Sequence, residues 1–82
     1  MQTKHVYNST SNFDPNLNLR ITEWNENRSV NYIYEGFTSL DQAKSFATWW
    51  VDVVGWGYSP RATAMNRNDQ FTVECTRWDS CD

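Results

Sequence analysis

One stretch of this chain repeats its apolar residues at helical spacing, and that stretch divides everything else. At 100° per residue Leu40, Ala43, Phe46, Ala47, Trp50, Val53 and Val54 share one face, while Asp41, Ser45, Thr48 and Asp52 take the other and Trp49 falls on the border. The start is signalled by Gly36-Phe37-Thr38-Ser39-Leu40-Asp41-Gln42, where Thr38 or Ser39 can cap the first amides and Asp41 or Gln42 can reach back. Gly55 suits a left-handed position after the last turn, and Gly57 and Pro60 prevent continuation. The spacing therefore predicts a helix over about 38–54.

The flanking segments alternate with period two instead. Leu17, Leu19 and Ile21 point opposite to Asn18, Arg20, Thr22 and Trp24, and a turn at Asn25-Glu26-Asn27 leads into a second run over 29–35. After the helix, 58–65 and 71–78 read as two more strands joined at Asn66-Arg67-Asn68-Asp69. Residues 1–16 carry Asn8-Ser9-Thr10-Ser11-Asn12 and Asp14-Pro15-Asn16, and read as a polar N-terminal arm or loop.

The expected fold is a single α+β domain spanning 1–82, ββαββ, with a four-stranded antiparallel sheet and the helix packed on one face. Because Pro60 cannot donate to a ladder, the strand order 1-2-4-3 is favoured, with the third of these strands at an edge. At 82 residues there is room for one core and no second domain.

A lone helix covers one face of such a sheet and leaves the other open. The inward sets are Leu17, Leu19, Ile21 and Phe71, Val73, Cys75. If Ile33 also points inward, then Val30, Tyr32 and Tyr34 lie outside beside Arg20, Trp24 and Trp78. Thirteen of the residues are Phe, Tyr or Trp against eleven Leu, Ile and Val, so most large apolar side chains are rings. A face rich in Trp, Tyr and Arg has the composition of protein interfaces and their hot spots. The candidate partner-binding residues are thus Arg20, Trp24, Tyr32, Tyr34 and Trp78. Trp49 and Trp56, in the densest aromatic run, form a second candidate contact. The competing reading makes these rings satellite core, with Trp24 and Trp78 covered by the arm and Trp56 packed under its loop.

Several function classes are disfavoured. Ten acidic against seven basic residues give a net charge of -3, without the basic footprint of a nucleic-acid binder. The one histidine, His5, sits in the polar arm, Cys75 points into the core, and Glu23, Glu26 and Glu35 read as solvated charges, so no catalytic constellation forms and an enzyme is not expected. Cys75 and Cys81, without CxxC spacing, suggest neither a metal site nor a structural disulfide, and no cofactor is implied. Gly55-Trp56-Gly57-Tyr58 follows a helix and lacks the third glycine of a nucleotide-binding loop. With no apolar leader and no membrane span, the expected address is cytoplasmic.

In size, acidity and Asn- and Trp-rich composition the chain resembles accessory proteins encoded by bacteriophages, which bind and inhibit host proteins, although no specific motif carries that resemblance. The expected function is a non-enzymatic protein-binding module acting through an aromatic sheet face, with another protein as partner. Two alternatives use the same surface. One is a homodimer built on open faces or edge strands, and the other is a ligand-binding domain stacking sugars or single-stranded nucleic acid on its rings.

Overall fold

A computed structural model describes residues 3–78. Its strands are β1 (His5–Ser11), β2 (Asp14–Glu26), β3 (Ser29–Phe37), β4 (Arg61–Arg67) and β5 (Gln70–Trp78), and between β3 and β4 lie helix α1 (Leu40–Trp49) and a π turn (Trp50–Val54). The sheet is antiparallel and five-stranded, in the order β1-β2-β3-β5-β4. The expected α+β class holds, and the four expected strands keep their expected neighbours with β4 at an edge. The count of four is corrected to five, because most of the expected arm is sheet.

The extra strand is β1, which pairs with β2 from His5↔Glu23 to Thr10↔Asn18. Its residues alternate, with Tyr7, Ser9 and Ser11 half-buried and Val6, Asn8 and Thr10 exposed. That alternation is mostly between one polar residue and another, so it gives no hydrophobic period, while Val, Tyr and Thr still favour extended backbone. At the hairpin tip Phe13 folds back, its ring 5.4 Å from that of Phe46 and 5.8 Å from that of Trp49. The polar-looking hairpin is thereby pinned to the helix by one ring.

Two hairpins turn on adjacent left-handed residues. Asn27 and Arg28 have φ of 51° and 73°, and Asn68 and Asp69 have φ of 51° and 65°, as two-residue type I′ turns require. The first sets the register of β2 against β3, closing on Glu26↔Ser29 and placing Ile21 opposite Tyr34. Tyr34 then stands opposite Val73 on β5. Since Ile21 and Val73 face the helix, so does Tyr34. The expectation that Ile33 points inward and Val30, Tyr32 and Tyr34 outward is therefore reversed. Val30 and Tyr34 are buried at 7% and 8% exposure, and Ile33 lies in a cross-sheet row with Val6, Thr22, Glu74 and Thr63 on the open face.

The helix begins where expected, and its capping residues are now specific. Ser39 Oγ accepts from the Gln42 N–H at 3.1 Å, while Gln42 Oε1 accepts from the Thr38 N–H at 2.7 Å, a variant of the capping box shifted back by one residue. Ala43, Phe46, Ala47 and Trp50 are buried against Leu19, Ile21, Tyr34, Phe37, Val73 and Cys75. Fully buried Trp50 donates its indole N–H to Tyr34 Oη at 3.0 Å, so two polar ring atoms satisfy each other inside the core.

The C-terminal end departs from expectation. From Trp50 the chain makes a π turn, closed by Gly55 N–H to Trp50 O at 2.9 Å. An i→i+5 turn advances each residue by less than the 100° of an α-helix, so Val53 no longer completes the turn back to the core stripe. Val53 and Val54, expected on the buried face, are 59% and 39% exposed. Gly55 is not left-handed either, having φ of −91°. Glycine is needed there because a Cβ would overlap Pro60 and crowd the Trp50 ring. The requirement is close approach of two chain segments, not a special dihedral.

Candidate functional site

The π turn creates a corner of exposed apolar side chains. Val53 and Val54 leave the core face, Gly55 packs beneath Pro60, and the chain reverses through Gly57 (φ +83°) and Ser59 (φ 50°). Tyr58 donates its N–H to Gly55 O at 3.0 Å, and Trp78 donates its N–H to Tyr58 O at 2.9 Å. This last bond ties the final described residue of β5 to the loop after the helix. Among the described residues the exposed large hydrophobics are Val6, Val53, Val54, Trp56, Tyr58 and Trp78; four of them lie within 53–58, and Trp78 is bonded to that segment through its backbone. Trp56 is 76% exposed and Trp78 48%.

One cation stands beside the patch. The Arg77 guanidinium carbon lies 5.5 Å from the centre of the Tyr58 ring, and Arg77 Nη2 sits 3.5 Å from Tyr32 Oη. A cation held over a ring face gains from the ring quadrupole and orders both side chains. The corner thus offers an indole, a phenol, two valines and an arginine, with a second indole, Trp78, at the adjoining end of β5.

The structure separates the residues that the sequence grouped. Arg20 and Trp24 lie on the open sheet face. Arg20 Nε is 3.9 Å from Glu35 Oε2, and Trp24 is half-buried beneath the Lys4 ammonium, 4.9 Å from its ring centre. Tyr32 and Tyr34 face the helix instead. Their rings stack at 5.8 Å, Tyr32 meets Trp50 edge-on at 5.7 Å, and Tyr34 is buried, so Tyr34 cannot touch a partner. Trp49 packs its ring on Phe13 and Phe46 at 5.8 and 5.4 Å. Trp56 is not packed under its loop, and Trp78, though its backbone is bonded to Tyr58, keeps the open-face register that Trp24 has on β2. Val53, Val54 and Tyr58 were not among the candidates. For the two valines the signal was present as surplus, because the helix stripe carries more apolar residues than the core-facing turns require.

Titration follows burial. Desolvation, with the Glu23 carboxylate accepting a 3.0 Å hydrogen bond from Tyr7 Oη, pushes the Tyr7 phenol up to about 12. Tyr34 is also raised by burial, against the lowering effect of the Trp50 indole N–H. Burial pushes the Cys75 thiol up, with a smaller contribution from neighbouring Glu74, which keeps it a neutral core residue and opposes thiolate formation. Cys81, Asp79 and Asp82 lie outside the described residues. Among the described residues no group of three or more His, Cys, Asp or Glu side chains could hold a metal ion, and no helix is long and apolar enough to cross a membrane. No family model matches the chain, and no curated protein or solved structure matches it.

Proposed function

We propose that this protein is a non-enzymatic protein-binding module that modulates another protein by occupying its surface. The anchors are Trp56, Trp78 and Tyr58, flanked by Val53 and Val54, with Arg77 at the margin. The carrying observation is the concentration of exposed large apolar side chains at the end of the helix, held by the Trp78–Tyr58 backbone bond. Tryptophan, tyrosine and arginine dominate interface hot spots, and an exposed cluster of them on a monomer marks an interaction site more often than chance. Of the residues expected from the sequence, Trp56 and Trp78 are kept as anchors, and Tyr58, Val53 and Val54 are added to them.

The test is a capture experiment from the producing organism with wild-type protein, Trp56→Ser, Trp78→Ser and Trp24→Ser. A partner held through the corner is lost with either of the first two and retained with the third. For each hot-spot tryptophan the expected loss is about 2 kcal/mol, or roughly thirtyfold in affinity. Equal capture by all four proteins, or no stoichiometric partner, would defeat the proposal.

A further inference from the structure

On the open face, away from the apolar corner, a depression of about 370 Å³ lies where β3 bulges between Glu35 and Phe37. Asn8, Asn18, Arg20, Glu35, Gln70 and Phe71 contribute to its lining. The hollow follows from the backbone. Gly36 sits at φ +120°, a dihedral closed to other residues, and has no side chain to fill the space. A hollow of this size falls at the lower end of the roughly 300–1,000 Å³ typical of small-molecule sites.

The chemistry of the lining restricts the ligand. Asn8, Asn18 and Gln70 are exposed, and among the described residues their amide side chains have no hydrogen-bond partner within the chain. Each amide offers both donors and an acceptor. Arg20 and Glu35 add a fork of donors and a pair of acceptors, and at 3.9 Å their charges are loosely joined, so both can turn to a ligand. With one positive and one negative group, the lining penalises a net anion through Glu35 and a net cation through Arg20. Phe37 and Phe71 border the hollow at the bulge, but both belong to the helix-facing core. A neutral ligand carrying several hydroxyls, each both donor and acceptor, fits these features.

We infer that this depression is a binding site for a neutral saccharide, one or two pyranose rings in size. Its hydroxyls reach Asn18, Gln70, Asn8 and the Arg20–Glu35 pair. Such a shallow site gives weak affinity, in the millimolar range, because most of the ligand stays in water. The inference is independent of the partner-binding corner, since neither site contributes a residue to the other.

Amide NMR spectra titrated with neutral hexoses, N-acetylhexosamines and disaccharides test it, alongside inorganic phosphate and a cationic amine. At least one neutral sugar should give saturable shifts at the Asn18 and Gln70 side-chain amides and the Gly36 amide. Asn18→Ala and Gln70→Ala, both at exposed positions, should each weaken that binding by about tenfold. Trp56→Ser should leave it unchanged. The same spectra report whether each variant is folded. The inference is overturned if no sugar gives saturable shifts, if phosphate or the amine shifts these amides as strongly, or if the shifts centre on Trp56 and Trp78.

Discussion

The two faces of the sheet differ in how they use their side chains. Under the helix, the row Tyr7–Ile21–Tyr34–Val73–Ala64 runs across five strands, and its centre packs on the Phe46 ring and accepts the Trp50 indole hydrogen bond. On the far face the neighbouring row is Val6–Thr22–Ile33–Glu74–Thr63, and its contacts are polar. Thr76 Oγ1 donates to Asn31 Oδ1 at 2.8 Å, and Arg67 Nη2 pairs with Glu74 Oε2 at 2.9 Å. One face is stabilised by exclusion of water and close packing of rings, while the other is held by cross-strand pairs that water also solvates. Rings can thus substitute for aliphatic side chains in a small core, provided their polar atoms find partners there.

The sharpest break of this contrast is Trp50→Ala, which removes the largest fully buried side chain and strands the Tyr34 hydroxyl. A loss of about 3–5 kcal/mol is expected, enough to unfold much of a domain this small, and urea titration measures it. Alkali attacks the same face. Cys75 and Tyr34 have raised values in the folded state against ordinary values of 9.0 and 10.0. The folded chain therefore holds these protons more tightly than the unfolded chain. Their contribution is full below about pH 9 and is lost as pH rises beyond it, by up to about 1.4 kcal/mol per pH unit for each group. Urea midpoints should be flat from neutrality to that point and then fall. A Cys75→Ala variant should delay the onset by about one pH unit.

Tyr34→Phe keeps the ring and leaves the Trp50 indole N–H buried without an acceptor, for an expected loss of about 1–3 kcal/mol. Paired substitutions then compare the faces directly. Val73→Thr buries a hydroxyl and should lose about 1–3 kcal/mol, whereas Ile33→Thr, in a row that already holds threonines, should lose under about 1 kcal/mol. If the two losses were equal, the far face would be core as well. The smallest effect belongs to Trp24→Ala, about 0.5–1 kcal/mol, because the Lys4 ammonium over a half-buried ring on the open face contributes little beyond the area it covers.

The helix and its neighbours were legible because their signals are local. Capping by Ser39 and Gln42 lies within four residues, and the stripe through Phe46 and Trp50 repeats at a fixed angle. Strand β1 was illegible because its alternation is between polar residues, and its one long apolar anchor, Phe13, sits in a turn. The orientation of β3 was legible in principle. Counting back from a two-residue turn at Asn27-Arg28 places Tyr34 opposite Ile21, but Arg28 at a left-handed position gives none of the glycine signal that marks such turns. Of the candidate site, Trp56 and Trp78 were named from sequence, yet they were assigned to different surfaces. The backbone of Trp78 reaches the loop that carries Trp56 because it hydrogen-bonds Tyr58, and sequence separation says nothing about that bond.

By itself the sequence determined the α+β class, the single helix and its start, the edge position of the strand after Pro60, and a core built largely of rings. These follow from spacing, capping and the missing proline donor, all properties of neighbouring residues. Only the tertiary structure decided which side of β3 is buried, where the α-helix gives way to a π turn, and which aromatic residues share a surface. Each of these depends on register and close approach between segments far apart in the chain, such as Gly55 against Pro60 and Tyr34 against Trp50. Packing in three dimensions chooses among arrangements that local preferences leave equal.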